Sequence, residues 1–315
     1  MNKNYIALLT QQVIVVSFVT CLWTHPANAQ LGKGFITIDP PKSVHTTAFG
    51  INNDRKIVGA YFDAAGFEHG FLRNEDGGFV TIDHPKAQKV KNLLGTEARG
   101  INSTGMIVGA YCAALPCDFV SVIKGYLLNK DKGGYDKNDF TTLETPGHIN
   151  SYLQRINSEG DIVGCYHDKD TMKTMHGIIW DDRRMTALPV PASMNNGIND
   201  REAVAGLYTD LTTGMTHGYL LRKGVHRLID FPGAAATSAW DINNQGRVVG
   251  IYFKDGSLHG FLWHKGKFTS VDIPGAVGTR VFGINSVGDI VGEYDDATTA
   301  HGFLLHWRDY EDWDD

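Results

Sequence analysis

Residues Phe268–His306 read FTSVDIPGAVGTRVFGINSVGDIVGEYDDATTAHGFLLH, and residues Phe35–Asn74 read FITIDPPKSVHTTAFGINNDRKIVGAYFDAAGFEHGFLRN. The glycines, the Asn, the Tyr and the His return in register. The stretch is therefore one unit of an internal repeat, and a repeat must be settled before any of its residues is read as catalytic. Aligned on the dipeptide Ile-Asn, the chain gives six registers, beginning at Ile51, Ile101, Ile156, Ile198, Ile242 and Ile284. The steps of 50, 55, 42, 44 and 42 residues fit a four-stranded propeller blade and exceed a one-strand β-helix rung.

Each unit holds four short β-favouring runs. The first (FITID, FVTID, FTTLE, FTSVD) alternates apolar and polar residues and usually ends at a proline, which stops a ladder. After a crossover comes a second run such as TRVFGIN, and then Asn-x-x-Gly, as in NSTG, NSEG, NNQG and NSVG. That is a tight hairpin: the Asn side chain caps the turn and Gly supplies positive φ. Arg55 and Glu202 replace this Gly in the first and fourth units, which predicts strained or differently built turns there. The third run (IVGAY, DIVGCY, AVAGLY, VVGIY) has a mid-strand Gly that implies close approach, expected from the neighbouring sheet. The fourth is HGFL, HGII or HGYL.

Named a to d from the axis outward, the second run is strand a and the first run is strand d of the preceding blade. The chain then opens on an orphan d strand at 35–39 and closes on an orphan c strand at 301–306. Pairing these two completes a sixth sheet and leaves no free edge. The predicted fold is all-β: a six-bladed β-propeller of four-stranded antiparallel blades spanning 35–306, closed by the N-terminal strand. The same residues resemble the bacterial secreted proteins with HAF repeats, whose unit centres on I-D-x-P-G, G-I-N-x-x-G-x-I-V-G-x-Y and H-G-F. The resemblance covers Phe35 to about His306 and implies an extracellular repeat module; it carries no activity with it. Arg155 and Asp241 depart from the Gly of GIN, Pro189 from the Asp of the first run, and Lys124 from the His.

The first residues combine Lys3, an apolar run from Tyr5 to Trp23 and a small-x-small end at Ala27-Asn28-Ala29. This predicts a signal peptide over 1–29, a short segment at 30–34 and a secreted chain with no later membrane insertion. The tail 307–315 is acidic. A net charge of -6 gives no footprint for nucleic acid. Cys112 and Cys117 lie close enough for a short-loop disulfide in an oxidising compartment, while Cys165 reads as a packed thiol.

His69, His176, His217, His259 and His301 invite a metal or acid–base role, but equivalent residues spaced around a ring cannot converge on one ion. The expectation is structural, a bond across the b–c hairpin either to the Asp upstream in it, Asp63, Asp168, Asp210 or Asp296, or to its backbone. Asp39, Asp83, Asp230 and Asp272, with Glu144, are expected to cap the following Pro-Gly turn, being too far apart for paired-carboxylate glycosidase chemistry. The loop NKDKGGYDKNDF at 129–140 lacks calcium-loop spacing and reads as solvated. No nucleophile elbow, zinc-protease motif, P-loop or dinucleotide fingerprint is present, so no cofactor or metal is expected.

Function is then sought where the repeats disagree. The d–a crossovers and b–c loops share one face. Three residues before each GIN-type Gly stand Thr47, Glu97, Tyr152, Met194, Ser238 and Arg280, and one before stand Phe49, Arg99, Gln154, Asn196, Trp240 and Phe282. This predicts an axial rim, with Glu97, Arg99, Tyr152, Gln154, Trp240 and Arg280 as candidate ligand-binding residues for a carbohydrate or a protein surface on a monomer. The alternatives are a polysaccharide hydrolase or lyase on the same face, with Glu97 and Arg280 as its nameable pair, and a purely structural surface module.

Overall fold

The computed structural model describes residues 34–117, 122–130, 134–145, 147–148, 150–168, 174–181 and 184–306; the predicted signal segment 1–29 and acidic tail 307–315 lie outside the described residues. Strand β1 (Phe35–Ile38) comes first. Blade 1 follows as β2 (Ser43–Ile51), β3 (Ile57–Asp63), β4 (Glu68–Arg73) and β5 (Phe79–Ile82), and blade 2 as β6 (Thr96–Ile101), β7 (Ile107–Cys112), β8 (Ile123–Leu128) and β9 (Phe140–Leu143). Blade 3 is β10 (Asn150–Ile156), β11 (Ile162–His167), β12 (Met175–Asp181) and β13 (Arg184–Pro191). Blade 4 is β14 (Ser193–Ile198), β15 (Val204–Thr209), β16 (Thr216–Arg222) and β17 (Val225–Ile229). Blade 5 is β18 (Ala236–Ile242), β19 (Val248–Lys254), β20 (Ser257–His264) and β21 (Lys267–Val271); blade 6 holds β22 (Gly278–Ile284), β23 (Asp289–Asp295) and β24 (Ala300–His306).

Five sheets are ordered as the chain runs, and the sixth is β22-β23-β24-β1. Its last pairing is antiparallel, from Phe35↔Leu305 to Ile38↔Gly302, the closure that the orphan strands require. The core lies between blades. One slab, for example, joins Val58, Leu72 and Ile82 of blade 1 to Ala98, Ile107 and Tyr126 of blade 2. Each such fully buried large apolar side chain contributes about 1.5–3 kcal/mol. No helix among the described residues is long and apolar enough to cross a membrane.

Two local features aim the axial side chains. Every a–b pair carries a bulge, and in each blade it falls at the residue before the GIN-type Gly, as between Ala48 and Gly50 or Val281 and Gly283. The extra residue bends the inner strand and turns its side chain to the axis. The mid-strand Gly of the third run has a cause different from the one expected. A Cβ on Gly59 would collide with the Thr47 carbonyl and the Phe71 ring, both in its own blade, not with the neighbouring sheet. At the first and fourth turns Arg55 and Glu202 adopt left-handed φ of 56° and 57°, so the turn is kept and the strain is accepted.

Candidate ligand site at the axis

At the a–b end the axis is bounded by the six repeated Asn residues. Each Oδ1 accepts the N–H groups two and four residues on, as Asn52 does from Asp54 (3.1 Å) and Lys56 (3.0 Å). Each Nδ2 donates to the carbonyl of the next blade's Asn: Asn52 to Asn102, Asn102 to Asn157, Asn157 to Asn199, Asn199 to Asn243, Asn243 to Asn285 and Asn285 back to Asn52, at 2.9–3.4 Å. The turn cap was legible in the sequence; the unbroken ring of amides was not. These turns enclose an open funnel of about 80 Å³.

The funnel is floored by the two departures from GIN. Arg155 reaches across the axis and donates through Nη1 to the Arg99 carbonyl (2.6 Å), through Nη2 to the Phe49 carbonyl (2.6 Å) and to that of Phe282, and its Nε lies 3.2 Å from Asp241 Oδ2. Asp241 in turn accepts the Ile242 and Ile284 N–H groups. One residue contributes the cation and the other the anion, so the irregularities of blades 3 and 5 form a single plug. Burial, the larger effect, holds the Asp241 carboxyl above its usual range, with Arg155 and the backbone donors offsetting part of it.

Above the plug lie two layers of non-repeating side chains, and here the predicted site is corrected in placement. Glu97, Arg99, Tyr152, Gln154, Trp240 and Arg280 lie on strands β6, β10, β18 and β22 and are only 2–7% exposed, so they fill the axis and do not form an open rim. The bulges and the narrow waist of six blades bring them together. Arg99 donates to Glu97 (2.7 Å) and Gln154 (2.8 Å), and its guanidinium sits 4.5 Å from the Phe49 ring centroid. Trp240 packs edge-on against Phe282 (4.8 Å), which meets Phe49 (5.4 Å). Arg280 pairs with Glu293 (2.6 Å) and Asp295 (2.9 Å). Of the upper layer only Ser238, between Met194 and Arg280, is more than marginally exposed.

Four buried polar atoms of these two layers have no hydrogen-bond partner among the described residues: Tyr152 Oη, Asn196 Oδ1, Trp240 Nε1 and Arg280 Nε. A buried group left unpaired costs about 1–3 kcal/mol, so four gathered in blades 3 to 6 mark a place where water or a ligand hydroxyl completes the bonding. Sequence reasoning missed the partners around them. Glu293 also accepts from Thr47 and faces His45 Nε2 at 3.4 Å. Burial alone would raise the Glu293 carboxyl, but Arg280, His45 and Thr47 bring it down to about 2. Glu68 accepts the Gly95 N–H (2.8 Å), and burial together with the charge of Glu97 pushes its carboxyl well above the usual range. Glu293 was legible as an outlier, since the equivalent residues are Ala60, Ala110, Cys165, Leu207 and Ile251.

Farther out, the repeated histidines are structural; the expected b–c hairpin Asp faces them in three blades, and a second partner on the d strand was not foreseen. Nδ1 faces the d-strand Asp: His69 to Asp83 (2.9 Å), His217 to Asp230 (2.9 Å), His259 to Asp272 (3.1 Å) and His301 to Asp39 (2.7 Å). The b–c hairpin carboxylates face Nε2 in three blades: Asp63 (3.5 Å), Asp168 (3.6 Å) and Asp296 (3.3 Å). Asp210 instead caps its own loop. The d-strand Asp thus latches the c strand instead of capping the Pro-Gly turn as expected; Asp230, for instance, also accepts the Gly218 N–H of the c strand (3.3 Å). In blade 2 both partners change together, to Lys124 and Glu144, which still pair. Tyr residues of the third run stack on these histidines, as Tyr61 does on His69 (5.2 Å). Cys112 and Cys117 are disulfide-bonded with Cα atoms 5.4 Å apart, and Cys165 is a buried free thiol. Among the described residues no cluster suited to a metal ion occurs.

The fold resembles several solved propellers. A lectin from Aleuria aurantia, solved as a point mutant in complex with Fucα1-6GlcNAc, has a TM-score of 0.52 and 12% identity over 84% of this chain and 93% of that chain. AofleA from Arthrobotrys oligospora gives a TM-score of 0.54 and 11% identity over 87% and 86% of the two chains. The propeller domain of the Trilobed protease from Pyrococcus furiosus, described as having an open velcro topology, gives 0.50 and 15% identity over 83% and 79%. Such identities establish likeness of fold alone. No family model and no curated protein matches the sequence.

Proposed function

We propose that this chain is a secreted propeller of the HAF-repeat kind that is not an enzyme and binds an extracellular ligand, a carbohydrate ahead of a protein surface, on the d–a/b–c face at the axis. The observation that carries the reading is the set of unpartnered polar atoms. Asn196 Oδ1, Trp240 Nε1 and Arg280 Nε belong to blade 5 and its two neighbours, around the half-exposed Ser238, on positions that differ from blade to blade. They supply two donors and an acceptor, and the Tyr152 hydroxyl can act as either, which suits a hydroxyl-bearing ligand. Lectin propellers among the similar folds make sugar the first ligand to try.

The test uses conservative variants, because truncating buried Trp240 to Ala would itself cost about 3–5 kcal/mol. Tyr152→Phe and Trp240→Phe each remove an unpartnered polar group while keeping a ring, so Tyr152→Phe should raise the melting temperature slightly and Trp240→Phe, which leaves a smaller cavity than Ala would, should lower it by only a few degrees. Both should weaken binding on a glycan array and by calorimetry. Undiminished binding by both would take the axis out of the site. Release of reducing ends from a polysaccharide, lost in Glu68→Gln, would move the reading to the hydrolase alternative, which the neighbouring carboxyls of Glu68 and Glu97 favour.

A further inference from the structure

The same His-to-Asp contact between strands c and d recurs in blades 1, 4, 5 and 6, but it does not join the same kind of segments. His69 and Asp83 are 14 residues apart, and the pairs of blades 4 and 5 are 13 apart, within one hairpin. His301 and Asp39 are 262 residues apart. Strand β1 has no turn tying it to β24; it is held by a ladder of four residue pairs, by Thr37 against the Tyr294 hydroxyl (3.1 Å), by the packing of Phe35 and Ile38, and by this contact. A contact that closes so long a loop restrains far more chain than one inside a hairpin.

The blade 6 latch has the same three contacts as that of blade 1, with both carboxylates closer. His301 Nδ1 meets Asp39 Oδ2 at 2.7 Å, its Nε2 faces Asp296 Oδ2 at 3.3 Å, and its ring stacks on Tyr294 at 5.3 Å. Two further histidines span the closing region. His45 of blade 1 faces Glu293 of blade 6, beside Arg280 and Asp295, and His306 meets Asp289 (2.8 Å), which also takes Arg55 of blade 1 (2.8 Å).

We propose that ring closure is a proton-operated latch: His301, when protonated, bridges Asp39 on β1 and Asp296 of the last b–c loop and clamps the first strand onto the last, and its deprotonation loosens that strand while the other five sheets stay intact. Burial lowers the proton affinity of His301, but the bonds and charges of Asp39 and Asp296 outweigh it, and the imidazole ends above its ordinary value. The sign follows. The contribution is complete below the unfolded-chain value of about 6.5 and is lost as pH rises through the raised folded value. On the acid side Asp296 is held below the usual carboxylate range by the Thr299 and Thr298 N–H groups, so its part is lost only at lower pH. Closure is firmest in mildly acidic to neutral solution.

Hydrogen exchange on the full chain between about pH 5.5 and 9, corrected for intrinsic rates, tests this. Protection of the β1 amides should fall roughly 3–10-fold as pH rises relative to β9, where Lys124–Glu144 takes the place of the His–Asp latch. His301→Gln should abolish that difference, whereas His259→Gln should loosen β21, where the bond to Asp272 likewise holds His259 above its ordinary value, and leave β1 unchanged. If His301→Gln does not fold, Asp296→Asn, which removes only the Nε2 partner, should move the loosening of β1 to lower pH. Parallel protection of β1 and β9 across the range, or an unmoved profile in Asp296→Asn, overturns the latch.

Discussion

The two ends of the propeller axis are built from the same inner strands and obey opposite rules. At the a–b end all six blades place an Asn whose amide needs the next blade's carbonyl, so each copy is constrained by its neighbour and the ring tolerates no exception. A few residues back along each strand, the layers from Thr47 to Phe282 mix acids, arginines, aromatics and amides, paired differently in every blade. Regularity marks the positions that hold blades together. Irregularity is densest among side chains whose partners lie within the axis, where a change in one blade can be answered in another.

The Arg155–Asp241 plug sits at the border of the two regimes and gives the strongest test. Arg155→Gly restores the repeat locally but leaves Asp241 buried without its cation, and should cost about 3–5 kcal/mol, roughly 10 °C in melting temperature. Arg155→Gly combined with Asp241→Gly gives all six blades the same GIN and should recover most of that loss. A double variant no better than the single would show that the carbonyl bonds of Arg155, not its charge partner, hold the axis.

A second test compares two asparagines of one inner strand. Asn199, just past β14, makes the ring bond to Asn243 (2.9 Å) and caps its turn through Arg201 and Ala203 (3.0 Å each). Asn196, three residues earlier, donates once, to Ala239 (2.9 Å), and its Oδ1 is unpartnered. Thermal or urea unfolding should show Asn199→Ala losing ~2–3 kcal/mol and Asn196→Ala ~1 kcal/mol or less. Equal losses would dissolve the distinction between the two ends.

What the sequence made legible follows from the same division. The period, the four runs and the Asn-capped hairpin are local patterns repeated from unit to unit, and repetition raises a weak signal above doubt; the closure by β1 follows from counting the strands left over at the two ends. The amide ring and the plug depend on side chains reaching between blades, over 42 to 55 residues for most ring bonds, and no spacing rule reports that. Two hints were present. Arg155 and Asp241 depart from one consensus position with opposite charge, and Lys124 with Glu144 replaces both members of a His–Asp pair at once. The predicted rim differs in placement because the inner strands bury these positions against the axis: Glu97, Tyr152 and Arg280 in the ladder, and Arg99, Gln154 and Trp240 at bulges that no sequence pattern reports.

The smallest effect separates backbone strain from compensation within the a–b end itself. Arg55 and Glu202 hold the same left-handed turn position, with φ of 56° and 57°, that glycine holds in the other four blades. A side chain there costs about 1–2 kcal/mol, against which glycine brings extra unfolded-chain entropy. Glu202 is exposed, and nothing among the described residues offsets its strain, so Glu202→Gly should stabilise by ~0.5–1 kcal/mol. Arg55 pairs with Asp289 across the junction of blades 1 and 6 (2.8 Å), though its side chain is 49% exposed and the pair is worth only about 0.2–1 kcal/mol. Arg55→Gly should therefore gain less than Glu202→Gly, with the gap closing in high salt as the ion pair is screened. A gap that persists at about 1 M salt would mean that Arg55 secures the junction by packing its aliphatic stem and not by its charge.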